Sequence, residues 1–258
     1  MIDEKEILFV TTTLNTKWLK YQSGIIKKLF PNSEHLIING SAEKWPNSWF
    51  YWIDKVKNSD KKYYIHLDED FFITSKSELI GVIEKMETDG IDMIGCPDGY
   101  HHYRGANPVS FNSFFMIGRI SDIKKIDIDF EKIRIGMASI SGSISWINNY
   151  DLNFKESYKE DFNYPFKIQG GSNYLVNQEP YYAFIWKMKE IGCKFGYLFP
   201  YFDERFKSTN PRISEDSEDI GIHMWYTRNW NNSEDVHGMK NIDRYNVVEK
   251  FILENLLP

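Results

Sequence analysis

The first hundred residues alternate short apolar runs with segments of helical period, and this alternation restricts the chain to an α/β fold built around neighbouring parallel strands. Ile7-Leu8-Phe9-Val10 is a continuous apolar run ending in Thr11-Thr12-Thr13, the length of one buried strand. Trp18, Leu19, Gln22, Ile25, Ile26 and Leu29 then recur at helical spacing, and Pro31 stops that helix because its nitrogen has no hydrogen to donate. His35 to Asn39 makes a second strand, Gly40-Ser41 a turn, and Asn47 or Ser48 caps a helix presenting Trp49, Trp52, Ile53 and Val56. Tyr63-Tyr64-Ile65-His66-Leu67 is the third strand.

Directly after that strand stands Asp68-Glu69-Asp70, then Phe71 to Thr74. Ser75 and Glu78 fit a capping box opening a helix whose apolar face is Leu79, Ile80, Val82, Ile83 and Met86; Asp89-Gly90 ends it, and Ile91 to Cys96 returns as a strand. The acidic cluster therefore falls at the carboxyl end of a central strand, where open α/β sheets place their ligands. Two carboxylates separated by one residue can point into one crevice and share a hard cation with phosphate oxygens. An Asp-x-Asp alone is equally an acidic turn; its position after a hydrophobic third strand makes it informative.

The second half is less regular. A loop spans Pro97 to Pro108, Ser110 to Ile117 is strand-like, and Ser139 to Asn149 is polar. A helix through Glu179, Tyr182, Phe184, Ile185 and Met188 ends near Gly192, and Lys194 to Phe199 reads as one further strand. Arg212 to Asp219 is an acidic loop, and Tyr245 to Leu257 a terminal amphipathic helix. No repeat or low-complexity linker divides the chain, so the expectation is one domain over residues 1–258.

A formal net charge of -6 argues against a nucleic-acid partner, which needs a basic surface to displace counterions. Every apolar run is broken well short of the roughly 20 residues of a membrane span, so no integral membrane segment is expected. The acidic N-terminus lacks the basic start of a secretory signal, and Cys96 and Cys193 read as small buried hydrophobes, both of which suit a cytoplasmic setting. Eight Trp, 16 Tyr and 18 Phe exceed what a core of this size requires, and aromatic faces stack on nucleobases and on sugar C–H faces.

Tyr64-Ile65-His66-Leu67-Asp68-Glu69-Asp70 resembles the Asp-x-Asp segment of the A-type, or GT-A, nucleotide-sugar glycosyltransferases. The resemblance implies a GT-A-like α/β fold: a Rossmann-like nucleotide-sugar-binding half at 1–98, a mixed central sheet and a less regular acceptor-binding half at 99–258. It implies Mn2+ or Mg2+ as cofactor, with Asp70 as direct ligand and Asp68 on the metal or the donor. The donor would be a nucleoside diphosphate sugar, UDP-linked for choice, and the acceptor a glycan or other hydroxyl compound. In that family the end of the first strand meets the nucleoside, which points to Thr11, Thr12 and Thr13. Ser110-Phe111-Asn112-Ser113 resembles the strand bearing an Asn beside the donor sugar, with Phe114 standing where a Gly is often found. Gly221-Ile222-His223-Met224-Trp225 resembles the late segment whose His closes the metal site, and Arg228 could then pair with the diphosphate. Glu179, in Asn177-Gln178-Glu179-Pro180, matches the position of the acidic residue near the reacting sugar carbon, ahead of Asp203 among the other carboxylates.

Two other functions are weighed. A nucleotidyltransferase also holds metal and nucleotide at a strand end, but usually carries a glycine-rich basic loop after the first strand, and Thr11 to Lys17 has no glycine. A non-catalytic glycan- or nucleotide-binding module would fit the aromatic content but needs no metal. His101, His102 and His237 lack metal-ligand spacing. His66 lies one pleat deeper than Asp68 and reads as a hydrogen-bonded support. Ser141-Gly142-Ser143 lacks the strand-turn-helix context of a nucleophile elbow.

Overall fold

A computed structural model of the chain describes residues 2–14, 17–40, 47–97, 110–126, 182–225 and 227–257. The expected α/β architecture with a mixed central sheet is present. Six strands lie in the order β2-β1-β3-β6-β5-β7, where β1 is Ile7–Thr13, β2 Glu34–Asn39, β3 Tyr63–Asp68, β5 Met93–Pro97, β6 Phe111–Arg119 and β7 Phe195–Tyr197. β1 runs parallel to β2 and β3, whereas β6 is antiparallel to both β3 and β5. Strand β1 is longer than the apolar run because its threonines continue the ladder, Thr11 and Thr12 opposite Leu67 and Asp68 of β3 and Thr13 opposite Asn39 of β2.

Both faces of this sheet are covered, which is why its strands read as unbroken apolar runs. Phe9, Ile65 and Leu67 face helices α1 (Lys17–Leu29) and α3 (Lys76–Asp89), and Val10 and Tyr64 face α2 (Asn47–Lys57) and the short α4 (Ile120–Ile123) together with Phe184, Ile185 and Met188 of α5 (Tyr182–Glu190). The predicted cap of α3 forms: Ser75 Oγ accepts the Glu78 amide at 3.2 Å, and Gly90 closes the other end at φ 64°, where a side chain would be strained. Asn47 and Ser48, expected as caps, lie within helix α2, and the residues before it are outside the described ones. Cys96 and Cys193 are free and buried, as expected, and burial raises both thiol pKa values, that of Cys193 to about 12.

A second sheet, order β4-β10-β9-β8, was not legible in the sequence. It comprises β4 (Phe71–Ile73), β8 (Phe199–Asp203), β9 (Ser208–Arg212) and β10 (Gly221–His223). The stretch Lys194 to Phe199 is accordingly not one strand: β7 belongs to the central sheet and β8 to the second. The chain changes sheets at Leu198, which is buried and whose amide still bonds Gly95 O at 3.0 Å. The acidic segment after Arg212 is pinned at both ends by Arg212 Nε on Asp219 Oδ1 at 2.5 Å, with a Ser214–Ser217 turn between. The terminal helix α6 starts earlier than expected, at Asn241, and runs to Phe251 before a wider last turn at Ile252–Leu256. One apolar cluster joins both sheets with α1, α3 and α6. Among the described residues no helix is long and apolar enough to cross a membrane.

Candidate metal and donor site

The turn carrying the acidic cluster joins β3 of the central sheet to β4 of the second, and it is held from below by one side chain. Gln22, buried on α1, donates its amide hydrogens to Asp68 O at 2.6 Å and Phe71 O at 2.9 Å, and accepts the Thr11 hydroxyl at 2.8 Å. Because Thr11 spends its proton on Gln22, it must accept at its 3.0 Å contact with His35 Nε2, which fixes that imidazole as the Nε2–H tautomer. Burial lowers the His35 pKa to about 4, so the ring is neutral at pH 7. Glu69, between the two aspartates, accepts the Thr13 hydroxyl and the Leu14 amide, the latter at 3.1 Å, and so ties the end of β1 to the turn.

Strand pairing then brings a distant histidine to the turn. β10 runs antiparallel to β4 with His223 directly opposite Phe71, and the Met224 amide bonds Asp70 O at 3.2 Å. His223 Nε2 consequently stands 3.3 Å from Asp70 Oδ1. Ligand atoms of Asp68, Asp70 and His223 all lie within 4.8 Å of one another. Two carboxylate oxygens and an imidazole nitrogen form a donor set suited to Mn2+ or a similar divalent ion, with room in a six-fold shell for phosphate and water. Asp70 is only 4% exposed. Burial pushes its pKa up, but the charge and hydrogen bond of His223 and the hydroxyls of Thr227 and Tyr245 outweigh it, leaving the carboxyl below its usual value and ionised.

The imidazole is clamped between rings. Phe114 on β6 stacks on His223 at 4.1 Å and 10° between planes, and Trp225 packs on it at 4.2 Å. Trp225 is in turn held by its Nε1–H on Thr209 Oγ1 at 2.9 Å. This gives Phe114 a purpose that the sequence comparison with glycine at that place did not suggest. Asn112, expected beside the donor sugar, is buried and its Oδ1 accepts the Phe114 amide at 3.2 Å, which fixes the strand under that ring. His66 is the support it was read as: its Nδ1–H donates to Ser113 O at 2.7 Å, the ring packs on Trp52 at 5.0 Å, and burial lowers its pKa to about 4.

The other predicted residues are placed less completely. Thr11 and Thr13 hydroxyls are engaged within the protein, as above, while Thr12 Oγ1 is buried without a hydrogen-bond partner and lies level with Asp68 in the β1–β3 register. Arg228 belongs to the 3-10 turn Thr227–Asn229 that follows the His223 strand; its side chain is outside the described set. Glu179, His101, His102 and Ser141-Gly142-Ser143 lie outside the described residues. His237 sits on the turn of a small hairpin with φ 54°, and Asp203 is bound by Arg205, its Oδ2 at 2.6 Å from Nη2.

No family model matches the sequence, and no curated protein does. Among solved structures the chain is similar to a glycosyltransferase involved in the glycosylation of the major capsid of PBCV-1, at 14% identity over 71% of this chain and 90% of that one, with a TM-score of 0.37. It is also similar to an active-site mutant of LgtC, at 12% identity over 95% of each chain, with a TM-score of 0.47. At that distance the likeness adds nothing to what the site's own residues say.

Sequence reading overlooked Gln22, Thr227 and Tyr245, and named Glu69 only as part of the acidic cluster, without its tie to the end of β1. Gln22 carried a usable signal, an amide on the otherwise apolar face of α1 between Trp18 and Ile25. Tyr245 carried none, since a tyrosine on an amphipathic helix looks like any other core aromatic.

Proposed function

We propose that the chain is a metal-dependent glycosyltransferase that takes a sugar from a nucleoside diphosphate sugar and gives it to a glycan or other hydroxyl acceptor. The observation that carries this reading is the convergence of Asp68, Asp70 and His223 within 4.8 Å at the carboxyl end of a central strand. A carboxylate-rich site at that place in an open sheet suits an ion that itself carries a diphosphate. When bound, the ion supplies positive charge against the leaving nucleoside diphosphate.

The protein's own residues then divide the work. Asp70 and His223 hold the ion, and Asp68 either joins them or meets the ribose. The Thr12 hydroxyl, level with Asp68, is assigned to the nucleoside, while Thr11, Thr13 and Asn112 act by fixing the walls around it. Arg228, in the turn after the His223 strand, is assigned to the diphosphate, where a guanidinium can bond bidentately. Glu179 is assigned the acceptor proton or the charge beside the sugar carbon. The helix that follows it, α5, packs Phe184 on Trp52 at 5.4 Å, and Trp52 also backs His66.

The test is a thermal-shift panel of nucleoside diphosphate sugars with and without Mn2+, on the full chain and on Asp70→Asn and His223→Ala. One donor is expected to raise the midpoint only when Mn2+ is present. Asp70→Asn should abolish that dependence, because the amide keeps the size and removes the charge facing the ion. His223→Ala should weaken it less, since water can take the vacated position. An Mn2+-dependent shift that survives Asp70→Asn unchanged would overturn the assignment of the site.

A further inference from the structure

We infer that Tyr245, on the C-terminal helix, is a positioning residue of the metal site, and that α6 serves as its latch. This rests on the metal reading above. Tyr245 Oη lies 3.3 Å from Asp70 Oδ2, 2.9 Å from Trp225 O and 3.5 Å from Thr227 Oγ1. A carboxylate and a carbonyl can only accept, so one phenolic proton serves the acidic turn and the backbone just past His223. Oδ2 of Asp70 is thereby held away from the histidine, and Oδ1, 3.3 Å from His223 Nε2, is the oxygen left facing the ligand cluster. The carboxylate is presented by one oxygen in a fixed direction, which is what a small cation with a defined shell requires.

The neighbouring residue shows that this is a latch and not an incidental contact. Arg244, fully buried, donates to Met224 O, to Lys207 O at 2.7 Å and to Asn241 Oδ1 at 2.7 Å. Consecutive side chains of α6 therefore grip the consecutive carbonyls of Met224 and Trp225. Between those two grips Trp225 adopts φ 58°, a left-handed conformation that a bulky residue takes only when its surroundings over-determine it. That backbone sets the indole against His223, so the helix fixes one ligand through a hydroxyl and the other through a ring.

The experiment is Mn2+ binding to the full chain in the presence of a nucleoside diphosphate, read by the electron paramagnetic resonance of free and bound ion. Tyr245→Phe keeps the ring, which packs on Trp18 at 4.6 Å, and removes only the hydroxyl. It should weaken Mn2+ binding about five- to tenfold, the scale of one ordinary hydrogen bond, and broaden the bound spectrum as the ligand geometry loosens. Tyr21→Phe is the control: it removes a hydroxyl that bonds Glu249 on the same helix without touching Asp70, and should leave binding unchanged. Thr227→Val, which deletes the other hydroxyl on Asp70, should reproduce the loss and carries the test alone if Tyr245→Phe does not fold by circular dichroism. Wild-type protein that binds no Mn2+ would refute the metal reading itself. Wild-type protein that binds, with Tyr245→Phe and Thr227→Val binding equally well or Tyr21→Phe weakened to the same degree, would overturn the latch and leave the metal reading standing.

Discussion

Replacing Gln22 by Met keeps the length and apolar stem of the side chain and deletes the amide that holds the acidic turn. Three buried partners lose their bond at once: the carbonyls of Asp68 and Phe71 and the hydroxyl of Thr11. Each such loss costs about 1–3 kcal/mol when the group stays dry, so the variant should lose at least ~3 kcal/mol of stability. For a chain of this size that corresponds to roughly 6–12 °C in Tm, at about 2–4 °C per kcal/mol. Gln22→Glu should be at least as damaging, because an ionised carboxylate keeps the bond from Thr11 but turns an oxygen on two carbonyls. The measurement is urea unfolding followed by circular dichroism, paired with an Mn2+ titration, since a loosened turn also misplaces Asp68 and Asp70. A Gln22→Met protein that loses less than about 1 kcal/mol and binds Mn2+ as well as wild type would refute the claim that this amide organises the site.

Two further outcomes follow from groups near the same turn. His66 and His35 have folded pKa values of about 4 against an ordinary 6.5, so the unfolded chain binds more protons between those values; their stabilisation is complete above pH 6.5 and is lost progressively as pH falls towards 4. The fully buried His66 alone accounts for about 3 kcal/mol, at 1.36 kcal/mol per unit, and a urea midpoint that stays flat between pH 6.5 and 5 would contradict this. Gly221→Ala would put a Cβ 2.4 Å from Phe71 Cζ and 2.7 Å from Phe72 O, forcing β10 off β4; a loss of about 1–3 kcal/mol and weaker Mn2+ binding are expected, and wild-type values for both would show that the strands can part freely.

The sequence was most legible where local chemistry decides structure. The apolar third strand, the Ser75 cap with its Gly90 stop, and the Asp-x-Asp at the strand end all follow from neighbours a few residues apart. It was opaque where the decision is made across the chain. Strands such as Phe71–Ile73 and Gly221–His223 are three residues long and carry no periodicity of their own; only their mutual pairing makes them strands. The antiparallel insertion of β6 was equally hidden, because residue alternation marks the faces of a strand and says nothing about its partner. His223 could be proposed as a ligand from the likeness of its segment, but the ring stack with Phe114 and the hold of Tyr245 on Asp70 depend on residues more than a hundred positions apart.

The pairing of β4 with β10 also sets a timetable for synthesis. Phe71–Ile73 leaves the ribosome about 150 residues before Gly221–His223, an interval of roughly 8–30 s at ordinary elongation rates of about 5–20 residues per second. Throughout that interval the nascent chain carries an apolar strand with an unfilled edge and an acidic turn lacking its histidine. Chaperone occupancy of the nascent chain should therefore rise once β4 emerges and fall only when β10 has been translated.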